Sequence, residues 1–281
     1  MQQTTKYNKQ DIIPQKSKGQ NFLKNKHIIN NIVDAANITE QTAILEIGPG
    51  MGALTDKIII KAGKVVVIEI DPKLVLFLQQ KYAHHQNLKI IKADILKVDI
   101  NQLLAAEFDD FNVVNVISNL PYYITSPIIF KLLTSSNPKI KVLILMMQKE
   151  VGERILAQPN NKQYNNLSVV CQYYCDIKKV CLVGKNNFFP VPKVDSIVLA
   201  FTFNKKNLVI DNETKFLEFI RTLFAHKRKT ILNNFATITK DKTLATTVLN
   251  NLGYNLNLRA ENLSLNDFYQ IYQGWITWQI K

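Results

Sequence analysis

An amide, a proline and a tyrosine stand together at Asn119-Leu120-Pro121-Tyr122, directly after an apolar run that ends at Ser118. Asn and Pro are common turn formers, so a plain turn is the simplest reading. The same residues suit a flat, polar ring. The Asn119 side-chain oxygen is an acceptor, and a backbone carbonyl of Leu120 or Pro121 supplies a second. Pro121 has no N–H to compete as a donor, and its ring stiffens the turn. Tyr122 offers a face for stacking. Two acceptors can hold both protons of an exocyclic aromatic amine and push its nitrogen toward tetrahedral geometry. Its lone pair, otherwise delocalised into the ring, then becomes nucleophilic without a strong general base.

Three further polar signals share one property with this tetrapeptide. Glu46-Ile-Gly-Pro-Gly-Met-Gly52, Glu69 and Asp94 each lie at or just after the end of a short apolar run (43–47, 64–70 and 88–92), as Asn119 does after 113–118. Glycines following a strand let the backbone approach a ligand closely. Gly48-x-Gly50-x-x-Ala53 fits a nicotinamide fingerprint, and the spacing equally fits the ExGxGxG loop of S-adenosylmethionine enzymes. Glu69 can accept hydrogen bonds from the two hydroxyls of a ribose, which suits either cofactor. Asp94 can accept from an adenine amine, and an acidic rim suits a sulfonium cation, so the balance tips toward the methyl donor.

The elements that must position these residues follow from periodicity. Apolar runs at 43–47, 64–70, 88–92, 113–118 and 142–147 read as buried strands. Helical spacing recurs at 25–38, 53–62, 73–82, 127–133 and 149–156, and 167–175 reads as a helix, or a helix leading into a strand. Strands alternating with helices predict a parallel, doubly wound sheet covered on both faces: an α/β, Rossmann-like fold. Such sheets bind ligands beyond the carboxyl ends of their strands, which puts all four signals in one crevice. Past 204 the alternation stops. Phe216, Phe219, Ile220, Leu223 and Phe224, then Ile231, Leu232 and Phe235, predict a small all-helical domain. The expected organisation is a mobile basic arm over 1–20, a nucleotide-type domain over 21–204 and the helical domain over 205–281.

The chain of 281 residues has 47% hydrophobic residues and a formal net charge of +13. That balance favours a phosphate-bearing partner through Coulomb attraction and counterion release. Phe224-Ala-His-Lys-Arg-Lys-Thr230 reads as a basic stretch within a helix of the small domain, either a phosphate-gripping face or a solvated one. Lys16 and Lys18 add candidates in the arm. Cys171, Cys175 and Cys181 form no CxxC pair, and the four histidines no ligand pattern, so no metal is expected. The opening residues carry no apolar stretch of the secretory type and no run reaches membrane-span length, so a cytoplasmic protein is expected.

With these motifs in order, the chain resembles the small-subunit (bacterial) type of the ribosomal RNA adenine N6,N6-dimethyltransferase family. The resemblance covers nearly the whole chain. It runs through Gly19-Gln-Asn-Phe-Leu23, Glu46-IGPGMGALT-Asp56, Glu69-Ile-Asp71, Ala93-Asp94 and Asn119-Leu-Pro-Tyr122. It continues through Gln148-Lys-Glu-Val151 with Arg154, Tyr164-xx-Leu-Ser-Val169 and Phe188-x-Pro-x-Pro-Lys-Val-Asp-Ser196. Tyr123, where Asn is common, and Lys18, where an apolar residue is common, depart from the pattern.

The resemblance implies that Asn21, Leu23, Gly48, Gly50, Glu69, Asp94 and Asn119 hold S-adenosylmethionine. It makes Asn119, Leu120, Pro121 and Tyr122 the catalytic segment, with Phe188 as the second aromatic wall around the target adenine. It also makes Arg154 an RNA contact, beside Lys227, Arg228 and Lys229 and the arm's Lys16 and Lys18, which the charge pattern offers. The implied reaction is dimethylation of N6 on two adjacent adenosines in the 3′-terminal hairpin of small-subunit ribosomal RNA, by a monomer acting on an assembling subunit. The alternatives are the antibiotic-resistance branch that modifies large-subunit RNA, and a non-catalytic ribosome assembly factor. DNA adenine methylation fits less well, because Asp or Asn before Pro-Pro-Tyr is more usual there. A nicotinamide dehydrogenase would leave the charge unexplained.

Overall fold

In this computed structural model the described residues are 14 and 20–279. The elements in chain order are β1 (Phe22–Leu23), α1 (Lys26–Asp34), β2 (Thr42–Ile47), α2 (Thr55–Ile58), β3 (Lys64–Glu69), α3 (Pro72–Lys81), β4 (Leu88–Lys92), α4 (Ile100–Glu107) and β5 (Val113–Asn119). A 3-10 turn (Tyr122–Ile124) leads into α5 (Thr125–Thr134), β6 (Ile140–Gln148), α6 (Lys149–Leu156), α7 (Asn166–Tyr174), β7 (Cys175–Val183), β8 (Phe188–Phe189) and β9 (Ser196–Phe203). The helices α8 (Glu213–Leu223), α9 (Ile231–Thr239), α10 (Lys242–Asn251) and α11 (Leu265–Gln279) complete the chain.

Every residue of β2, and all of β3 after Lys64, is buried, as expected of strands covered on both faces. They form a sheet of seven strands in the order β4-β3-β2-β5-β6-β9-β7. The pairs from β4 through β6 are parallel, and β9 joins β6 antiparallel with Leu145 opposite Leu199. The chain winds outward from β2 through β3 to β4, then returns to place β5 on the other side of β2. That reversal opens a crevice beyond the carboxyl ends of β2 and β5. Local signals start the helices: Asn25 accepts from the N–H groups of His27 and Ile28 at α1, and Asp71 caps α3 with Pro72 in its first turn.

The chain divides into two compact units, 1–152 with 176–203, and 153–175 with 204–281. The core of the second includes Phe216, Phe219, Phe235, Phe268 and Tyr272, and Tyr164 and Val169 belong to the same cluster. The segment 153–175, which the sequence reading assigns to the sheet domain, therefore packs with the helices. Its aromatic residues explain why: Tyr164 meets Phe224 edge-on, and Tyr173 meets Phe216 in the same way.

The basic stretch departs from the helical expectation. Phe224 caps α8, the Lys229 N–H bonds back to the His226 carbonyl at 2.9 Å, and Thr230 caps α9. Lys227, Arg228 and Lys229 thus stand exposed on a loop between two helices. Among the described residues no helix is long and apolar enough to cross a membrane.

Candidate active site

Beyond the strand ends of the first unit lies a cavity of about 870 Å³. β2 delivers the glycine loop to its floor. Gly48, Gly50 and Gly52 all have positive φ (65°, 59° and 81°), a region that costs a non-glycine residue strain. At Gly50 a Cβ would also meet the Phe22 ring at 2.9 Å. The loop is held by the end of α3. Lys81 Nζ donates to the Met51 carbonyl (3.1 Å), and the hydroxyl of Tyr82 donates to the Gly52 carbonyl (3.0 Å) and to Asp56 Oδ1 (2.6 Å).

Glu69, at the end of β3, accepts from the Asp71 N–H on Oε1 (2.9 Å) and from the Gly50 N–H on Oε2 (3.3 Å). Burial raises its pKa against the lowering effect of these donors. Asp94, after β4, accepts from the Leu96 N–H on Oδ1 (3.0 Å) and lines the cavity. Glu46 is 1% exposed, with Oε2 accepting from the Thr55 hydroxyl at 2.6 Å. Burial pushes its pKa up to about 8, only partly opposed by that hydroxyl.

A carboxyl whose pKa is higher folded than unfolded favours the folded state in its protonated form. Its contribution is complete below about 4.5 and is lost as pH rises through about 8. Glu46→Gln is therefore expected to flatten the fall in stability across that window, as read by chemical unfolding of the ligand-free protein at a series of pH values. An unchanged slope would mean that Glu46 is ionised in the folded protein.

The tetrapeptide is held from several sides. The Ser118 hydroxyl donates to the Ile47 carbonyl (2.6 Å), and the Leu120 N–H donates to the Met146 carbonyl (3.0 Å). Asn119 Nδ2 donates to the Asn21 carbonyl at 3.0 Å. The antiparallel pairing of β1 with β8, Leu23 opposite Phe188 and Phe22 opposite Phe189, fixes the segment that follows Asn21. With Nδ2 committed, Oδ1 is the part of the amide left to accept. The Pro121 carbonyl already accepts from the Ile124 N–H (3.2 Å) and the Thr125 hydroxyl (3.1 Å). Among the described residues no hydrogen bond to the Leu120 carbonyl is found, so of the two carbonyls Leu120 is the better second acceptor. The Tyr122 hydroxyl shares a hydrogen bond with Ser196 Oγ at 2.8 Å, and burial raises its pKa, so the ring is anchored and uncharged.

The cavity lining includes Asn21, Leu23, Gly48, Gly50, Glu69, Asp94, Asn119, Leu120, Pro121 and Tyr122. Phe188 is the exception and corrects the sequence reading. It is 0% exposed and sits in the core with Leu23, Ile29 and Val183, because alternation along β8 turns it inward. Its neighbour Phe189 takes the outward face, lines the cavity and is 54% exposed. The doubled Phe was the available signal, but a two-residue strand carries no pattern that sets which one faces in. The lining also includes Asp56, Lys81 and Tyr123, which the sequence reading did not select as site residues.

The other sequence-predicted residues lie elsewhere. Arg154 is half-buried in the part of α6 that belongs to the second unit, and its carbonyl accepts from the Ser168 hydroxyl. Lys227, Arg228 and Lys229 occupy the exposed loop of the same unit. Lys16 and Lys18 lie outside the described residues. No group of three or more His, Cys, Asp or Glu suited to a metal ion occurs among the described residues.

Comparison with known proteins adds an independent line. The model of a family described as ribosomal RNA adenine dimethylase matches residues 14–276. The ribosomal RNA small subunit methyltransferase A of Mycoplasma mycoides subsp. mycoides SC is 44% identical over 257 residues, covering 90% of this chain and 94% of that protein. The protein of the same name from Bacillus mycoides is 41% identical over 258 residues, covering 90% and 88%. Among solved structures, a dimethyladenosine transferase from Plasmodium falciparum aligns with a TM-score of 0.75 at 31% identity, over 91% of this chain and 98% of that one. The 23S rRNA methyltransferase ErmE aligns with a TM-score of 0.67 at 22% identity, over 91% and 100%, a likeness of fold.

Proposed function

We propose that this chain, which belongs to the ribosomal RNA adenine dimethylase family, dimethylates N6 of two adjacent adenosines in the 3′-terminal hairpin of small-subunit ribosomal RNA. The observation that carries the reading is the Asn119 amide. Its nitrogen is committed to the Asn21 carbonyl, and its oxygen is left to accept beside the Leu120 carbonyl, to which none of the described residues donates. Such a pair of acceptors matches the two protons of an adenine amine.

The cavity fits S-adenosylmethionine. Glu69 and Asp94 present carboxylates at successive strand ends, suited to a ribose diol and an adenine amine, and the glycine loop keeps side chains off the floor. Asn21, Leu23, Gly48, Gly50, Glu69 and Asp94 would hold the donor, and Asn119 adjoins it. When bound there it supplies an electrophilic methyl group on a sulfonium.

The chain's own residues do the rest by positioning. Asn119 Oδ1 and the Leu120 carbonyl accept the N6 protons and draw the lone pair out of conjugation. Tyr122, tethered to Ser196, stacks on one face of the base, and Phe189 takes the other in place of Phe188. The nitrogen becomes acidic once alkylated, so its proton passes to solvent without a dedicated base. A monomethylated amine retains one N–H, so one acceptor suffices to hold it for the second methylation.

In this reading the net charge of +13 serves the phosphates of an assembling subunit in the cytoplasm, met by the protein as a monomer. Neutralising Lys227, Arg228 and Lys229 together is expected to weaken RNA binding and to lower the slope of log affinity against log salt by about 2, at roughly 0.7 per phosphate contact on single strands. Equal slopes would return these residues to solvated surface. The reading as a whole is tested by labelled methyl incorporation into under-methylated small subunits and, in parallel, into large-subunit RNA. Label confined to the small subunit is expected. Label on large-subunit RNA alone would overturn the substrate assignment.

A further inference from the structure

Tyr123 has no counterpart in the chemistry described so far. It lies in the 3-10 turn after the tetrapeptide, lines the same cavity as Tyr122 and is 57% exposed. Tyr122 is tied inward through Ser196, whereas no hydrogen bond or ring contact to the Tyr123 side chain is found among the described residues. Phe189 on the same lining is also more than half exposed, and Val191, two residues on, is 55% exposed. Tyr123 and Phe189 put two exposed aromatic rings on one cavity lining, which suits an occupant with flat faces. On a chain of net charge +13, an occupant that combines phosphate charge with flat apolar faces is single-stranded RNA.

We propose that Tyr123 is a stacking platform for the nucleotide adjoining the one in the cavity, so that it holds the second adenosine of the pair at the mouth while the first is modified. This rests on the adenosine-methylating reading above. Stacking a base on an aromatic ring is tolerant of sequence and favours the larger purine face. The platform therefore prefers an adenosine neighbour to a uridine, and it acts on substrate binding more than on the rate of the chemical step.

The test uses under-methylated small subunits in which each adenosine of the pair is changed in turn to uridine, with methylation of the remaining adenosine measured. With the unaltered enzyme, the change is expected to raise KM about threefold and leave kcat within about twofold. Tyr123→Ala should raise KM about tenfold on the adenosine pair and erase the further penalty for uridine. Tyr123→Phe, which keeps the ring, should behave as the unaltered enzyme. An unchanged KM in Tyr123→Ala, with the uridine penalty intact, would overturn the proposal while leaving the methyltransferase reading standing. Absence of methyl transfer to any subunit by the unaltered enzyme would instead overturn that reading, and this proposal with it.

Discussion

Asn119→Ala is expected to lower methyl transfer by about 10³-fold while RNA binding stays within about twofold. The substitution removes one of two acceptors that act only when the amine nitrogen leaves the plane of the ring, so the loss falls on kcat. It also removes the hydrogen bond from Nδ2 to the Asn21 carbonyl, which ties the segment before β1 to the end of β5. Asn119→Asp separates these contributions. It keeps an acceptor toward the base but sets a carboxylate oxygen against the Asn21 carbonyl, so a partial loss is expected. Near-normal turnover in Asn119→Ala would remove this residue from the mechanism.

Phe188 and Phe189 are expected to respond to truncation in opposite ways. Phe188→Ala empties a fully buried site among Leu23, Ile29 and Val183 and should destabilise the protein by about 3–5 kcal/mol. Phe189→Ala removes a half-exposed ring from the cavity lining. It should leave the unfolding midpoint nearly unchanged and lower kcat/KM by about 10- to 100-fold, the worth of a lost stacking face. Unfolding curves and steady-state kinetics on the pair decide the matter. A stable, inactive Phe188→Ala beside an active Phe189→Ala would reverse the assignment.

Much of the site was legible because parallel strands impose a rule. Once 43–47, 64–70, 88–92 and 113–118 read as buried strands, the polar residues after them had to share one edge. The structure places Gly48, Glu69, Asp94 and Asn119 on one cavity. What stayed hidden depends on contacts distant in sequence. The pairing of Phe22–Leu23 with Phe188–Phe189 joins segments far apart in the chain through two residues each, too few to show a period. The choice between the Leu120 and Pro121 carbonyls turned on Ile124 and Thr125 claiming one of them. The far side of the sheet, β9 and then β7 at the edge, was not legible because β9 runs antiparallel, outside the strand–helix alternation. The segment 153–175 continues the sheet domain in sequence, and only its packing with Phe216 and Phe224 shows where it belongs. The basic stretch keeps helical spacing through Phe224, but the chain turns there, so composition alone could not tell a charged helix face from a charged loop.

In this mechanism two acceptors at the end of β5 direct methylation to an exocyclic adenine nitrogen. Its most direct test is the chemical identity of the product. Under-methylated small subunits are incubated with the purified protein and labelled S-adenosylmethionine, the RNA is digested to nucleosides, and the labelled species is identified by mass and fragmentation. N6,N6-dimethyladenosine is expected, with the N6-monomethyl form at early times. Label on a ribose hydroxyl, on a ring carbon or on another base would contradict it.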